Sequence, residues 1–141
     1  MTAKEFLRQA YRLDHRIHSD MAELERLREM ASSVGSPGME EHYNPNRLTE
    51  ASFIRNLEKI WELQEKINQE IDRFVDLKEQ IRNVIATATN TDEQMVLRYR
   101  YIHNMTWEQI GDELHADRTT VYRWHNQGLS HVSLPENPIL I

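Results

Sequence analysis

Thr106-Trp107-Glu108-Gln109-Ile110-Gly111-Asp112-Glu113-Leu114-His115-Ala116-Asp117-Arg118-Thr119-Thr120-Val121-Tyr122-Arg123-Trp124-His125-Asn126-Gln127 is the stretch on which the fold turns. Thr106 and Gln109 have capping-box spacing, a hydroxyl followed three residues later by a side chain that can reach back to it. Ile110 and Leu114 continue an apolar face four residues apart, so a short helix is expected to end near His115. Asp117 can cap a second helix, Arg118 through Gln127, whose inward positions are Val121 and Trp124. Ile110, three residues, Leu114, six residues, Val121 is the spacing that two short helices crossing at a steep angle require. It leaves Arg118, Thr119, Tyr122 and Arg123 pointing away from the core, on a face that is polar, donor-rich and locally basic. Trp107 and Trp124 fit as core anchors better than as stacking platforms.

Upstream, Thr91-Asp92-Glu93-Gln94 has the same capping spacing and predicts a helix to His103 that buries Met95, Val96, Tyr99 and Ile102. The Thr- and Asn-bearing segment Ala86 to Thr91 before it marks a boundary between a part at 1–89 and a part at 90–141. In the first part, Phe6, Ala10, Leu13, Ile17, Leu24, Leu27 and Ala31 form a heptad-like stripe interrupted at Asp20. Two glycines and two prolines then prevent helix continuation, giving a loop over about 33–47. From Thr49 to Ala88 a second stripe runs through Leu57, Ile60, Ile67, Ile71, Phe74, Ile81, Ile85 and Ala88, on a helix about 60 Å long at ~1.5 Å per residue. Two long striped helices joined by such a loop fold most simply as an antiparallel, coiled-coil-like hairpin. Trp61, Leu63, Val75, Leu77 and Val84 lie beside the stripe, so apolar surface should remain for a second chain or for the C-terminal part, making this an oligomerisation or docking arm. The expected class is therefore all-α, a long helical hairpin followed by a three-helix domain.

Composition narrows the function classes. Apolar residues are 39% and charged residues 28% of 141, with a mean hydropathy of -0.73, and no apolar run approaches the ~18 residues of a membrane span. Met1-Thr2-Ala3-Lys4-Glu5 lacks the apolar core of a signal peptide, so a cytoplasmic protein is expected. The absence of cysteine excludes disulfides, thiol nucleophiles and thiolate zinc sites. His15 and His18 have no further ligand at metal spacing and read as helix-surface residues; no metal and no cofactor is expected. Without a glycine-rich phosphate loop, HExxH or a serine elbow, no catalytic residue stands out and an enzyme is not expected. The formal net charge is -6, and the part after Asn90 has four arginines, no lysine and seven carboxylates. Contact with nucleic acid must therefore rest on the placement of a few cations. Arg98 and Arg100 read as solvated or ion-paired side chains, and His125 as either a phosphate contact or a helix-surface residue.

The residues also resemble known proteins. Leu97-Arg98-Tyr99, Met105 through Leu114, and Asp117 through Arg123 align without gaps to the helix-turn-helix of region four of bacterial sigma factors. Trp107-Glu108, His115, Arg118, Thr120-Val121-Tyr122-Arg123 and His125 resemble the ArpU-like phage transcriptional regulators, as do Lys4 to Leu13, Ile71-Asp72 and Leu77-Lys78 with Ile81 in the arm. The resemblance covers most of the chain. It implies a DNA-binding transcriptional regulator of prophage or mobile-element origin that acts on the element's promoters. On the residue pattern, Arg118, Thr119, Thr120, Tyr122 and Arg123 are the expected contacts to double-stranded DNA and the arm is expected to form a homodimer, while RNA polymerase stays open as a further partner. Two features depart from the pattern: the usual turn glycine is His115, and Asn126-Gln127-Gly128-Leu129-Ser130 replaces further basic residues. Two other readings stay open: a phage small terminase subunit, which also joins a helix-turn-helix to an oligomerising coiled coil, and an adaptor that docks on RNA polymerase or another protein without touching DNA.

Overall fold

The computed structural model describes residues 1–34 and 50–141, and among them it contains five helices and no strand. They are α1 (Ala3–Val34), α2 (Glu50–Ala86), α3 (Thr91–Tyr101), α4 (Trp107–Leu114) and α5 (Arg118–His131). The class is all-α, as the periodicity predicts. Of the loop expected over 33–47, residues 35–47 lie outside the described residues, and Ser33 and Val34 belong to α1. Among the described residues no helix is long and apolar enough to cross a membrane.

The chain divides into two compact units, one of residues 1–14 and 72–141, the other of residues 15–71. In the second unit, side-chain bonds tie α1 to α2: Arg16 Nη2 donates to Glu70 Oε1 at 3.2 Å, and Arg28 Nη2 to Gln64 Oε1 at 2.6 Å. Ile17, Leu24 and Ile67 are buried there. Asp20 Oδ2 and Glu70 Oε2 are buried without a hydrogen-bond partner among the described residues, and polar groups at such positions cost stability while restricting the register in which two helices can pair.

The stripe on α2 differs from the sequence reading. Leu57 and Ile71 are exposed, whereas Leu77 and Val84, expected beside the stripe, are buried. Alternating steps of three and four from Ile67 pass through Glu70 before reaching Phe74, Leu77, Ile81, Val84 and Ala88. A stripe chosen by apolar identity skips Glu70 and leaves the true line, because a helix buries by angle rather than by residue type.

In the first unit, Phe6, Leu7, Ala10 and Leu13 of α1 and Leu77, Ile81, Val84 and Ile85 of α2 are buried, as are Val96, Leu97 and Tyr101 of α3. Asn90, not Thr91, caps α3: its side chain accepts from Glu93 N at 3.1 Å. The carboxamide is a better cap than the threonine hydroxyl, and it moves the helix start by one residue. The helix ends at Tyr101 rather than His103, and Leu97, Glu93 and Tyr101 are buried while Met95, Tyr99 and Ile102 are half-buried. After α5 the chain runs back along this unit in an extended tail gripped by two glutamine amides. Gln80 donates to Asn137 O at 3.0 Å and accepts from Ile139 N at 2.9 Å; Gln9 donates to Ile139 O at 2.9 Å and accepts from Ile141 N at 2.8 Å. Each amide pairs with residues i and i+2, as a neighbouring strand would.

Candidate functional site

The α4–α5 pair is built as the capping signals predict. Thr106 Oγ1 accepts from Gln109 N at 3.2 Å and Gln109 Oε1 accepts from Thr106 N at 2.9 Å, closing the reciprocal box. Asp117 Oδ1 accepts from Thr120 N at 2.7 Å at the start of α5, and these bonds from Thr120 hold the exposed carboxyl below its ordinary pKa. Between the helices, His115 adopts the left-handed conformation, φ 52 and ψ 43, and Ala116 N donates to Gly111 O at 3.0 Å. A Cβ at Gly111 would lie 2.9 Å from Ala116 O, so the backbone of the turn closes against a glycine in α4. Histidine carries the strained turn position while glycine is used where the chain folds onto itself.

Val96, Ile110 and Val121 form the buried cluster between α3, α4 and α5, with Tyr99, Met105, Trp107, Leu114, Ala116 and Trp124 packed around it. Val121 is thus the inward residue of α5, and both tryptophans pack against the cluster while remaining half-buried. Helix α5 continues four residues beyond the predicted Gln127 to His131, whose Nδ1 lies 2.8 Å from the buried Glu93 carboxylate of α3. Gly128 lets α5 approach α3 closely, since a Cβ there would meet Leu97 Cδ1 at 3.0 Å.

Of the five predicted contact residues, Arg118, Thr119 and Arg123 are exposed, and Thr120 and Tyr122 are half-buried. Tyr122 does not point freely into solvent: its ring lies 4.6 Å from that of Trp107, and its hydroxyl accepts from Arg118 Nη2 at 3.3 Å. That bond raises the Arg118 pKa and holds the guanidinium over the Tyr122 ring, 5.4 Å from its centroid. Arg118 and Tyr122 therefore present one pre-arranged donor pair, with Thr119 and Arg123 beside them on the same side of α5.

His125 corrects the sequence reading. It neither lines the surface nor reaches outward, being 3% exposed, with Nε2 2.7 Å from the Tyr101 hydroxyl and Nδ1 3.3 Å from Asn126 Oδ1. Because the Asn126 oxygen can only accept, Nδ1 carries the proton and the Tyr101 hydroxyl donates to Nε2. Burial pushes the imidazole down to about 4 and the phenol up to about 12, so both are neutral at neutral pH. Arg100 is half-buried, and among the described residues its contacts are not an ion pair: it lies 4.4 Å from the Trp107 centroid and donates to Met105 O at 2.9 Å. Among the described residues no three metal-ligating side chains converge.

A family model described as Protein of unknown function (DUF1492) matches residues 57–133, more than half of the chain. No curated protein and no solved structure matches it.

Proposed function

The chain belongs to that family, and we propose that it is a sequence-specific DNA-binding transcriptional regulator of prophage or mobile-element origin. In this reading α4, the turn at His115 and α5 act as a helix-turn-helix, and Arg118, Thr119, Thr120, Tyr122 and Arg123 address the major groove. The observation that carries it is the outward face of α5: Arg118, Thr119 and Arg123 stand exposed on a helix whose opposite side is locked by Val121 into the cluster with Val96 and Ile110. The motif residues that resemble the ArpU-like regulators, Trp107-Glu108, His115, Arg118, Thr120 to Arg123 and His125, lie on α4, the turn and α5. Helices α1 and α2 serve as an antiparallel arm for self-association or for docking on RNA polymerase. The bonds Arg16–Glu70 and Arg28–Gln64 support the pairing, since the partner number falls as the α1 number rises.

The test is a gel shift against fragments of the neighbouring genes, followed by Arg118→Ala and Arg123→Ala on the fragment found. A guanidinium bonded to a guanine edge accounts for about 1–3 kcal/mol, so each substitution should weaken binding by roughly five- to 150-fold. Melting should stay nearly unchanged. Full affinity in both variants would refute the assigned face. The net charge of -6 favours the adaptor as the second reading, and it takes over if no DNA target is found.

A further inference from the structure

One cleft of the first unit shares only Tyr122 with the proposed DNA face. It has a volume of about 610 Å³, within the range of roughly 300–1,000 Å³ typical of small-molecule sites. Its rim brings together Lys4 and Arg8 from α1 and Arg100 from α3, and no carboxylate among the described residues lines it. In a chain of net charge -6, three cations around one concavity without a counter-charge in its lining is an unusual concentration. Much of the remaining wall is aromatic, with Trp107 and Tyr122 at the α4–α5 junction and the Tyr101–His125 pair, and Asn104 and Thr106 add polar groups to it.

We propose that this cleft binds a nucleoside monophosphate, its phosphate between Lys4, Arg8 and Arg100 and its base along the Trp107–Tyr122 wall. A phosphomonoester carries a charge of about -1.5 to -2 at neutral pH with three strong acceptor oxygens, which three cations match better than they match a single carboxylate. A planar base can meet aromatic side chains in tilted or edge-on geometry, as Trp107 meets Tyr122 and His125. The buried tyrosine–histidine pair gives the wall a fixed shape, and its neutrality leaves the field of the cleft to the cations. The titrating groups report that field: Lys4 and Arg100 oppose protonation of His125, and Arg100 and Arg8 draw the Tyr101 phenol downward, although burial outweighs them. Concavity distinguishes this site from α5, whose exposed residues stand on a convex surface suited to a groove. Because Tyr122 belongs to both, a bound nucleotide would touch the residue that positions Arg118.

Isothermal titration of the full chain with adenosine 5′-monophosphate, adenosine and inorganic phosphate tests this. The monophosphate should saturate one site per chain and bind at least tenfold more tightly than either fragment. Lys4→Ala and Arg8→Ala, both in the first turns of α1, should each weaken it about tenfold, while Arg26→Ala, the same charge change outside the cleft, should leave it unchanged. Circular dichroism melts of the variants keep a folding defect from being read as lost binding. Absence of saturable heat, or equal affinity in Arg8→Ala, overturns the proposal. Phosphate or adenosine alone binding as tightly as the nucleotide overturns it as well. If the nucleotide gives no heat but Arg8→Ala weakens duplex DNA in a gel shift, the cations belong to a DNA backbone contact and the small-molecule site is refuted.

Discussion

His125 sits at the junction of the first unit, against Tyr101, Trp107 and Asn126, and its chemistry makes stability pH-dependent. Its imidazole protonates near 6.5 when unfolded but is pushed down to about 4 in the fold, chiefly by burial. Between those values the unfolded chain binds a proton that the folded chain refuses, so the stabilisation is complete above pH 6.5 and is lost as pH falls toward 4. The expected loss is on the order of 2 kcal/mol, read from urea melts at pH 7 and pH 4.5. His125→Gln, which keeps an acceptor for Tyr101, should flatten that part of the profile; an unchanged profile would locate the titration elsewhere. Gly111 poses the opposite constraint, one of space. A methyl group 2.9 Å from a backbone oxygen forces the turn apart, and Gly111→Ala should destabilise by roughly 1–3 kcal/mol despite alanine's better helix propensity. A melting temperature equal to the parent's would show that the turn can yield.

Among the elements, α2 has two lines in steps of three and four. One is buried from Ile67 through Leu77, Ile81 and Val84; the other, in the second unit, runs through Ile54, Leu57, Trp61, Gln64, Asn68 and Ile71. Trp61 on this second line is 78% exposed, and Ile54, Leu57 and Ile71 are exposed with it. At its centre Gln64, which also accepts from Arg28 of α1, donates to Asn68 Oδ1 at 3.1 Å. A row of apolar side chains with a polar step is the pattern by which coiled-coil seams select register and partner number. Self-association through this line is expected, and Trp61→Ala should weaken it by about 2 kcal/mol, roughly thirtyfold, as the loss of a central aromatic anchor does. Sedimentation at micromolar concentration decides it: a dimer fits the regulator, a ring of many subunits fits the small terminase subunit, and a monomer removes the idea.

For the molecule as a whole, charge sets the terms on which DNA could be held. With 23 acidic against 17 basic residues, and two arginines exposed on α5, only a few phosphates can be neutralised. At about 0.9 per phosphate, the slope of log affinity against log salt should be roughly -2 for one chain and roughly -4 for a dimer. Binding to random DNA should be poor for the same reason. A steep slope like that of a strongly basic repressor would reveal a phosphate-binding surface beyond α5, with Lys4, Arg8 and Arg100 the first residues to examine.

Local signals were enough to determine the helical class, the reciprocal cap of Thr106 and Gln109, the Asp117 cap, and the inward placement of Val121, because each depends on residues within a few positions of one another. The exposed positions of Arg118, Thr119 and Arg123 follow from the same periodicity. Where two local signals competed, at Asn90 and Thr91, or where a polar residue occupied the stripe, at Glu70, local reading went astray by a residue or a face. Only the tertiary structure decided what distant segments do to one another. Lys4 and Arg8 meet Arg100 across more than 90 positions, Tyr101 takes up His125, and Gln9 and Gln80 seize the tail. None of these pairings has a period or a spacing, since the packing of the helices brings them together and a one-dimensional pattern contains no distance between them.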